Sequence, residues 1–338
     1  MQLHFTKSFI DKKKYIIKIA SLRDKKKILD FINKFWKKNH IFIKSKKLFD
    51  FQHKGKNKLN WVIAKNKKTQ KIEGILGLVS KNFYSKGYIC KNDDIWIAII
   101  MVAYSLKPSK GLGTEMIKFF FKKFKPNSIS ALGINKAVSN LYRKIGLKIN
   151  YLNQYYLKKS NKVNQIKPEE QKNLNITSDF TKILKFKNYD QKFKNYKYFL
   201  NRYFKHPIYK YHLFIVYEKD IIKNFLVIRL VKFKNIKAIR VVDIGNINLI
   251  KIFKKNFFFY LIYSLKANYI DFINFGLKKL IIKKIGLKLR KNVFIPHHFE
   301  PFEEKNIDVM ISYISKDKNF YVFKGDSDLD RPSIINNV

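Results

Sequence analysis

Two segments of this 338-residue chain read almost alike: LYRKIGLK at Leu141–Lys148 and IIKKIGLK at Ile281–Lys288, with KIGLK identical in both. What precedes them also corresponds. Ser128 to Ile134 is a β-forming run, and Asn135 then stands as an N-cap before a helical pattern. That pattern puts Ala137, Val138, Leu141, Tyr142 and Ile145 on one face and stops at Gly146, a suitable helix-ending glycine. In the second half, Tyr269 to Asn274 reads as a strand and a helix follows to Ile285. The match and the repeated element order together predict tandem copies of one fold.

The rest of the chain supports a mixed α/β class. Tyr15 to Ala20 reads as a strand, and Ser21 to Asp24 has capping-box spacing before a helix to about Trp36. Asn60 to Ala64 and Lys71 to Ser80 read as a hairpin. Ile95 to Leu106 is a long apolar run suited to a central strand, and Ile149 to Leu157 reads as the strand closing the first half. Strands are expected at Tyr211 to Glu218, Phe225 to Phe233 and Ala238 to Ile244, then a helix from Leu249 to Leu265. Ser160 to Asp179 is polar and reads as a linker. The expected domains are 1–159 and 179–338, joined by 160–178.

Composition narrows the function classes. About 46% of the residues are apolar, which excludes a disordered chain. A single cysteine, Cys90, precludes an intramolecular disulfide, fits a reducing compartment and reads as a small buried residue. The formal charge of +48 suggests nucleic acid. Lysine supplies nearly all of it, however, with only seven arginines, spread along the whole chain. The abundant residues are those with A/T-rich codons, so a genomic bias accounts for the charge without a specific nucleic-acid partner. The charge still draws in anions. The N-terminus lacks the apolar core of a signal peptide, and the run Phe257 to Leu265 is too short to span a bilayer. A cytoplasmic protein is expected.

The segment SLKPSKGLGTEMIKFFFKKF, Ser105 to Phe124, carries the most chemistry. Met116, Ile117, Phe120, Phe121 and Phe124 fall on one helical face. A helix N-terminus leaves backbone N–H groups unpaired and carries partial positive charge, so a loop bending into it can wrap a diphosphate. Lys110, Gly111, Leu112, Gly113 and Thr114 would offer those groups, with Lys107 and Lys110 adding charge. The competing reading is a turn that needs glycine only for its φ angles. The spacing matches neither the dinucleotide nor the Walker A fingerprint.

The order of strand, glycine-containing loop, helix, strand, Asn and a helix ending LYRKIGL resembles the GNAT superfamily of N-acetyltransferases. Pro108 to Gly113 partly matches its pyrophosphate loop, Q/R-x-x-G-x-G/A, with Pro108 where Gln or Arg is usual. Asn135, Leu141, Tyr142 and Gly146 match its N-x-x-A-x-x-L-Y-x-x-x-G-F helix, with Val138 and Leu147 at the Ala and Phe places. The resemblance covers roughly residues 15 to 157. It implies two tandem acyl-CoA N-acyltransferase-like domains, acetyl-CoA or another acyl-CoA as co-substrate and no metal. It also implies direct attack of an amine or hydroxyl on the thioester. Lys110 to Thr114 and Asn135 would hold the cofactor. Tyr142 would protonate the leaving thiolate, unless it only packs on the apolar face. Asp93, Asp94 and Glu73 are candidates for the base, each also readable as a surface acid.

The second copy lacks the phosphate device. Its strand runs into Gly245-Asn246-Ile247-Asn248, and Ile282 stands at the place of Tyr142. It is expected to bind no CoA and to shape the acceptor pocket. PHHFEPFEEKN, Pro296 to Asn306, offers His297, His298 and Glu300 for contact with an acceptor, or as surface residues. Adjacent histidines on a strand point to opposite faces, which disfavours a metal pair. Asp326 to Arg331 lacks the sixth-place glycine of a calcium loop. With HPIYKY (His206 to Tyr211), YIDFINFG (Tyr269 to Gly276), the FEPF segment and DLDRP, the second half also resembles tandem acetyltransferase-like proteins of surface-polysaccharide gene clusters, which implies a small-molecule acceptor such as an amino sugar or a sugar nucleotide. Two alternatives stand: transfer from aminoacyl-tRNA by the same tandem fold, as in peptidoglycan-bridge transferases, and a non-catalytic polyanion binder.

Overall fold

A computed structural model describes residue 3 and residues 13–103, 111–160, 168–191, 194–296 and 306–332. The strands are β1 (Tyr15–Ser21), β2 (Lys58–Asn66), β3 (Ile72–Ser80), β4 (Asp94–Val102), β5 (Ser128–Leu132), β6 (Lys148–Tyr151), β7 (Asn153–Lys158) and β8 (Leu174–Thr177). They continue with β9 (Tyr211–Glu218), β10 (Ile221–Phe233), β11 (Ile236–Ile244), β12 (Tyr269–Phe275), β13 (Lys288–Leu289), β14 (Met310–Ser315) and β15 (Val322–Phe323). The α-helices are α1 (Lys25–Phe31), α2 (Ile41–Lys44), α3 (Lys46–His53), α4 (Lys81–Lys86), α5 (Leu112–Phe124), α6 (Lys136–Lys144), α7 (Pro168–Lys172), α8 (Tyr196–Phe199), α9 (Lys255–Ser264) and α10 (Lys279–Lys284).

Two mixed sheets result, ordered β1-β2-β3-β4-β5-β14-β6 and β13-β7-β12-β11-β10-β9-β8, with β15 added to β12. The compact units follow the sheets. One gathers Met1–Tyr151, Val309–Lys318 and Ser327–Val338, the other Leu152–Asp308 and Asn319–Asp326. The expected closing strand of the first half therefore breaks at Leu152. Its start, β6, lies in the first sheet and its end, β7, in the second. The expected linker contributes α7 and the edge strand β8 to the second unit. The expected helix from Leu249 to Leu265 begins as a short 3-10 turn, Ile250–Ile252, and becomes α-helical only at Lys255.

In the first unit α5 packs against β2, β3 and β4 on one face of the sheet. Leu112, Met116, Ile117 and Phe120 are buried there with Val62, Ala64, Leu76, Leu78, Ile95, Ile97 and Tyr142. Burying a side chain such as Phe120 contributes about 1.5–3 kcal/mol. Helix α3 covers Trp61. Phe49 stacks on the indole at 6.0 Å and His53 lies 4.8 Å from it, ring centre to ring centre. His40 caps α2, its Nδ1 accepting from the Phe42 N–H at 3.3 Å, and the Arg331 guanidinium lies over the Phe42 ring at 5.0 Å.

The shared KIGLK is a helix stop. Gly146 and Gly286 adopt φ of +93° and +91°. The Leu147 N–H donates to the Tyr142 carbonyl at 3.0 Å, and the Leu287 N–H to the Ile282 carbonyl at 3.3 Å. Both are Schellman closures. The flanking Ile145, Leu147, Ile285 and Leu287 are all buried. The repeat conserves a left-handed glycine between two apolar anchors, which is what this closure requires.

The second unit carries a buried ionic knot. Lys194 Nζ lies 2.6 Å from Asp243 Oδ1 on β11 and 2.6 Å from Asp326 Oδ1 beyond β15. Tyr203 donates to Asp243 Oδ2 at 2.7 Å, and the Phe323 N–H donates to Asp326 Oδ2 at 2.7 Å. Burial opposes the Lys194 charge, but the two carboxylates hold its pKa above the ordinary value.

Candidate functional site

The central strand β4 sets the geometry. Against β3 its register jumps from Gly77↔Ile99 to Leu78↔Ile97, so Ala98 is an extra residue that re-aims the strand. Against β5 it is parallel, and the ladder covers only Asp94↔Ser128, Ile95↔Ile129 and Trp96↔Ser130. Beyond Trp96, β4 runs on to Val102 without a β5 partner, while β5 stays paired along its other edge with β14 from Ser128 to Leu132. The two parallel strands therefore open into a V.

The N-terminus of α5 stands at the open end. A Cβ placed on Gly113 would meet Ile100 and Val102 of β4 at 3.4 and 3.9 Å and Leu141 of α6 at 3.8 Å. Strand end, helix start and α6 thus converge on one point. Gly111 is the N-cap with φ of +100°, so its identity is set by the turn. Gly113 differs. It has no left-handed φ, and its neighbours leave ordinary van der Waals room for a methyl group. Among the described residues neither the turn nor the packing requires glycine there, whereas a ligand approaching the backbone closely would. The first intrahelical bond runs from the Glu115 N–H to the Gly111 carbonyl at 3.0 Å. The N–H groups of Leu112, Gly113 and Thr114 precede it and have no acceptor within the helix. Glu115 in the first turn adds negative charge near this end, offset by Lys118 at 3.9 Å.

Tyr142 is 1% exposed and lies in the core beneath α5. Among the described residues its hydroxyl has no hydrogen-bond partner, and burial pushes its pKa well above the usual phenol range. Asn135 is exposed, and its side-chain oxygen accepts from the Val138 N–H at 2.9 Å, capping α6. That capacity is spent on the helix.

The acids expected near the reaction divide. Asp93 and Asp94 sit at the start of β4, whereas α5 begins at its far end, roughly 25–30 Å along the strand. Asp94 accepts from Ser128 at 2.6 Å and pairs with Lys81 at 3.0 Å. Burial, with the Asp94 charge adding and the Ser80 hydroxyl opposing, pushes the Asp93 carboxyl up to about 6. Both belong to the strand entry. Glu73 is at the correct end, since its carbonyl accepts from the Ala103 N–H at 2.9 Å. Its carboxylate receives Tyr15 and Asn66, each at 2.7 Å. Lys110, His297, His298 and Glu300 lie outside the described residues, as do Lys107 and Pro108. Among the described residues no group of His, Cys, Asp and Glu could hold a metal ion, and no helix is long and apolar enough to cross a membrane.

The second unit repeats the V and fills it. Strands β11 and β12 pair in parallel from Ala238↔Tyr269 to Val241↔Phe272 and then part. Strand β7 holds one edge of β12 as far as Asn274, so β15, paired at Asn274↔Phe323 and Phe275↔Val322, lies on the edge facing β11. A Cβ on Gly325 would fall 2.8 Å from the Val242 carbonyl oxygen of β11. At the head of the cleft Gly245 abuts the Phe225 ring, where a Cβ would stand only 2.5 Å away. Sequence reasoning expected no cofactor here for want of a glycine loop, but nothing in VFKGD announced a strand inserted in the cleft.

No protein-family model and no curated protein matches the sequence. Solved structures do. A GCN5-related N-acetyltransferase from Anabaena variabilis is 11% identical with a TM-score of 0.52, over 88% of this chain and 72% of that one. A conserved protein of unknown function from Enterococcus faecalis is 10% identical with a TM-score of 0.51, over the same shares. Saccharomyces cerevisiae N-myristoyltransferase is 10% identical with a TM-score of 0.47, over 99% of this chain and 88% of that one. The parallel V, the glycine-led helix at its mouth and the likeness over both sheets agree: the chain carries a GNAT-like fold in tandem.

Proposed function

We propose that the first unit binds an acyl-CoA, acetyl-CoA in the first instance, and transfers its acyl group to a small acceptor bearing an amine or a hydroxyl. The observation that carries this reading is Gly113, a glycine at the open end of the V that the fold itself does not require. The residues fit the group. The backbone N–H groups of Gly111 to Thr114 would receive the pyrophosphate, and Lys110 would add charge. The edge of β4 past Trp96 would receive the extended arm. Bound acyl-CoA supplies an activated thioester. Tyr142, protonated throughout the physiological range, would give its proton to the leaving sulfur. Glycosaminyl acceptors, free or as sugar nucleotides, are the first to test, since the sequence of the second half resembles tandem acetyltransferase-like proteins of surface-polysaccharide gene clusters.

The test is calorimetry with acetyl-CoA on wild type, Gly113→Ala and Gly113→Glu. Wild type should bind in the micromolar range. The Ala variant should fold as well and bind more weakly, and the Glu variant, with a carboxylate at the pyrophosphate position, should not bind. A wild type that ignores acetyl-CoA sinks the reading and moves the search to aminoacyl-tRNA.

A further inference from the structure

Strand β5 carries two serines on the same face, Ser128 and Ser130, because strand side chains alternate and Ile129 and Ala131 face the α5 core. They are treated differently. Ser128 donates to Asp94 Oδ1 at 2.6 Å. Ser130 is 1% exposed, and its Oγ is sealed from solvent with no hydrogen-bond partner among the described residues. A buried hydroxyl left without a partner costs free energy, and alanine would fill the position without that penalty. The strand places Ser130 at a special point. It is the last β5 residue in register with β4, opposite Trp96, where the V begins. Its other neighbour is Tyr313 of β14, so the far edge of β5 is already paired.

We infer that Ser130 is a positioning residue of the donor site, its hydroxyl hydrogen-bonding an amide or carbonyl group of the acyl-pantetheine arm where that arm enters between β4 and β5. This rests on the acyl-CoA reading above. A pantetheine arm is extended and alternates donors and acceptors like a strand, so it can lie along an open strand edge. A serine hydroxyl can donate to its carbonyls or accept from its N–H groups. The second unit makes the comparison. There the V is occupied by β15, whose backbone supplies that pairing from within the chain.

Two probes test this on the full chain: acetyl-CoA, and adenosine 3′,5′-bisphosphate, which lacks the arm. Ser130→Ala should melt at or above the wild-type temperature. It should bind acetyl-CoA about tenfold more weakly and the bisphosphate as the wild type does. Ser128→Ala, which removes a hydrogen bond of the fold, should melt lower and bind both probes within twofold of wild type. Unchanged acetyl-CoA affinity in Ser130→Ala overturns the inference. So does equal weakening toward both probes, or equal weakening by Ser128→Ala, because either result traces the effect to the placement of β5. A wild type that binds the bisphosphate but not acetyl-CoA refutes the donor reading itself, a result distinct from failure of Ser130 alone.

Discussion

Replacing Lys194 with methionine removes the cation from a site where everything around it is arranged for charge. Its nitrogen is the common neighbour of two carboxylates whose side chains are fully buried. Each lies 2.6 Å from that nitrogen, so in the variant two like charges face each other within about 5 Å and without solvent. Burial already pushes the Asp243 carboxyl up, with Lys194 holding it down. Without the lysine, at least one acid must take a proton or leave the interior. Breaking a buried pair by deleting one partner costs about 3–5 kcal/mol. For a unit of this size, about 2–4 °C of melting temperature is lost per kcal/mol. Calorimetric melting should therefore show the second unit falling by roughly 6–20 °C. Hydrogen exchange at Val322 to Asp326 should rise, since Asp326 is the anchor of that segment. The triple variant Lys194→Met, Asp243→Asn, Asp326→Asn has no charge to bury and should regain more than half of the loss. A single variant within about 1 kcal/mol of wild type, or a triple variant no better than the single, would falsify the argument that charge pairing fixes the segment in the cleft.

Three further outcomes are expected. Tyr142→Phe should keep its melting temperature, since the lost hydroxyl has no described partner, and should lower turnover about 10²–10⁴-fold with little change in acetyl-CoA affinity. In the fold, burial and then the Arg331 charge depress His40 and His53 to about 3, so the unfolded chain binds their protons near its ordinary value of 6.5. The stability they contribute is present above 6.5 and is lost as pH falls toward 3. Urea titrations should show about 1.4 kcal/mol per pH unit for each histidine, and His53→Phe should reduce the slope by one such share. Asp93 runs the other way, raised to about 6 from 3.8, so the stability it contributes is present below 3.8 and lost as pH rises through 6. Asp93→Asn should match wild type near pH 4 and exceed it at pH 7.5 by about 2 kcal/mol in the same titrations.

Much of this could be read from the letters because local chemistry decides it. The KIGLK stop, the Asn135 cap and the apolar face of α5 each follow from residues within a few positions of one another. The V did not show, because it depends on where a ladder ends, and Ile95 to Leu106 reads the same whether one edge is paired or open. Ser130 was invisible for a related reason. In SISAL it looks like the polar half of an alternating strand, and only its surroundings distinguish it from Ser128. The acids were misleading because Asp93 and Asp94 precede an apolar run whose length carries them away from the loop. The strand exchange left no local mark, since β6 and β7 form one continuous β-forming run and the break at Leu152 is a matter of partners.

That exchange has a consequence for how the protein is made. Strand β14 lies between β5 and β6, yet it is synthesised more than 150 residues after either. During translation the edge of β5 stays open, with its backbone groups unpaired, until Ser315 has left the ribosome. The first half of the chain therefore cannot finish folding as it emerges, and must wait until β14 has been made. Such late, distant pairing makes folding slow and exposes an aggregation-prone edge on the way. A chain cut before Met310 should carry that open edge permanently, however intact the residues around Gly113.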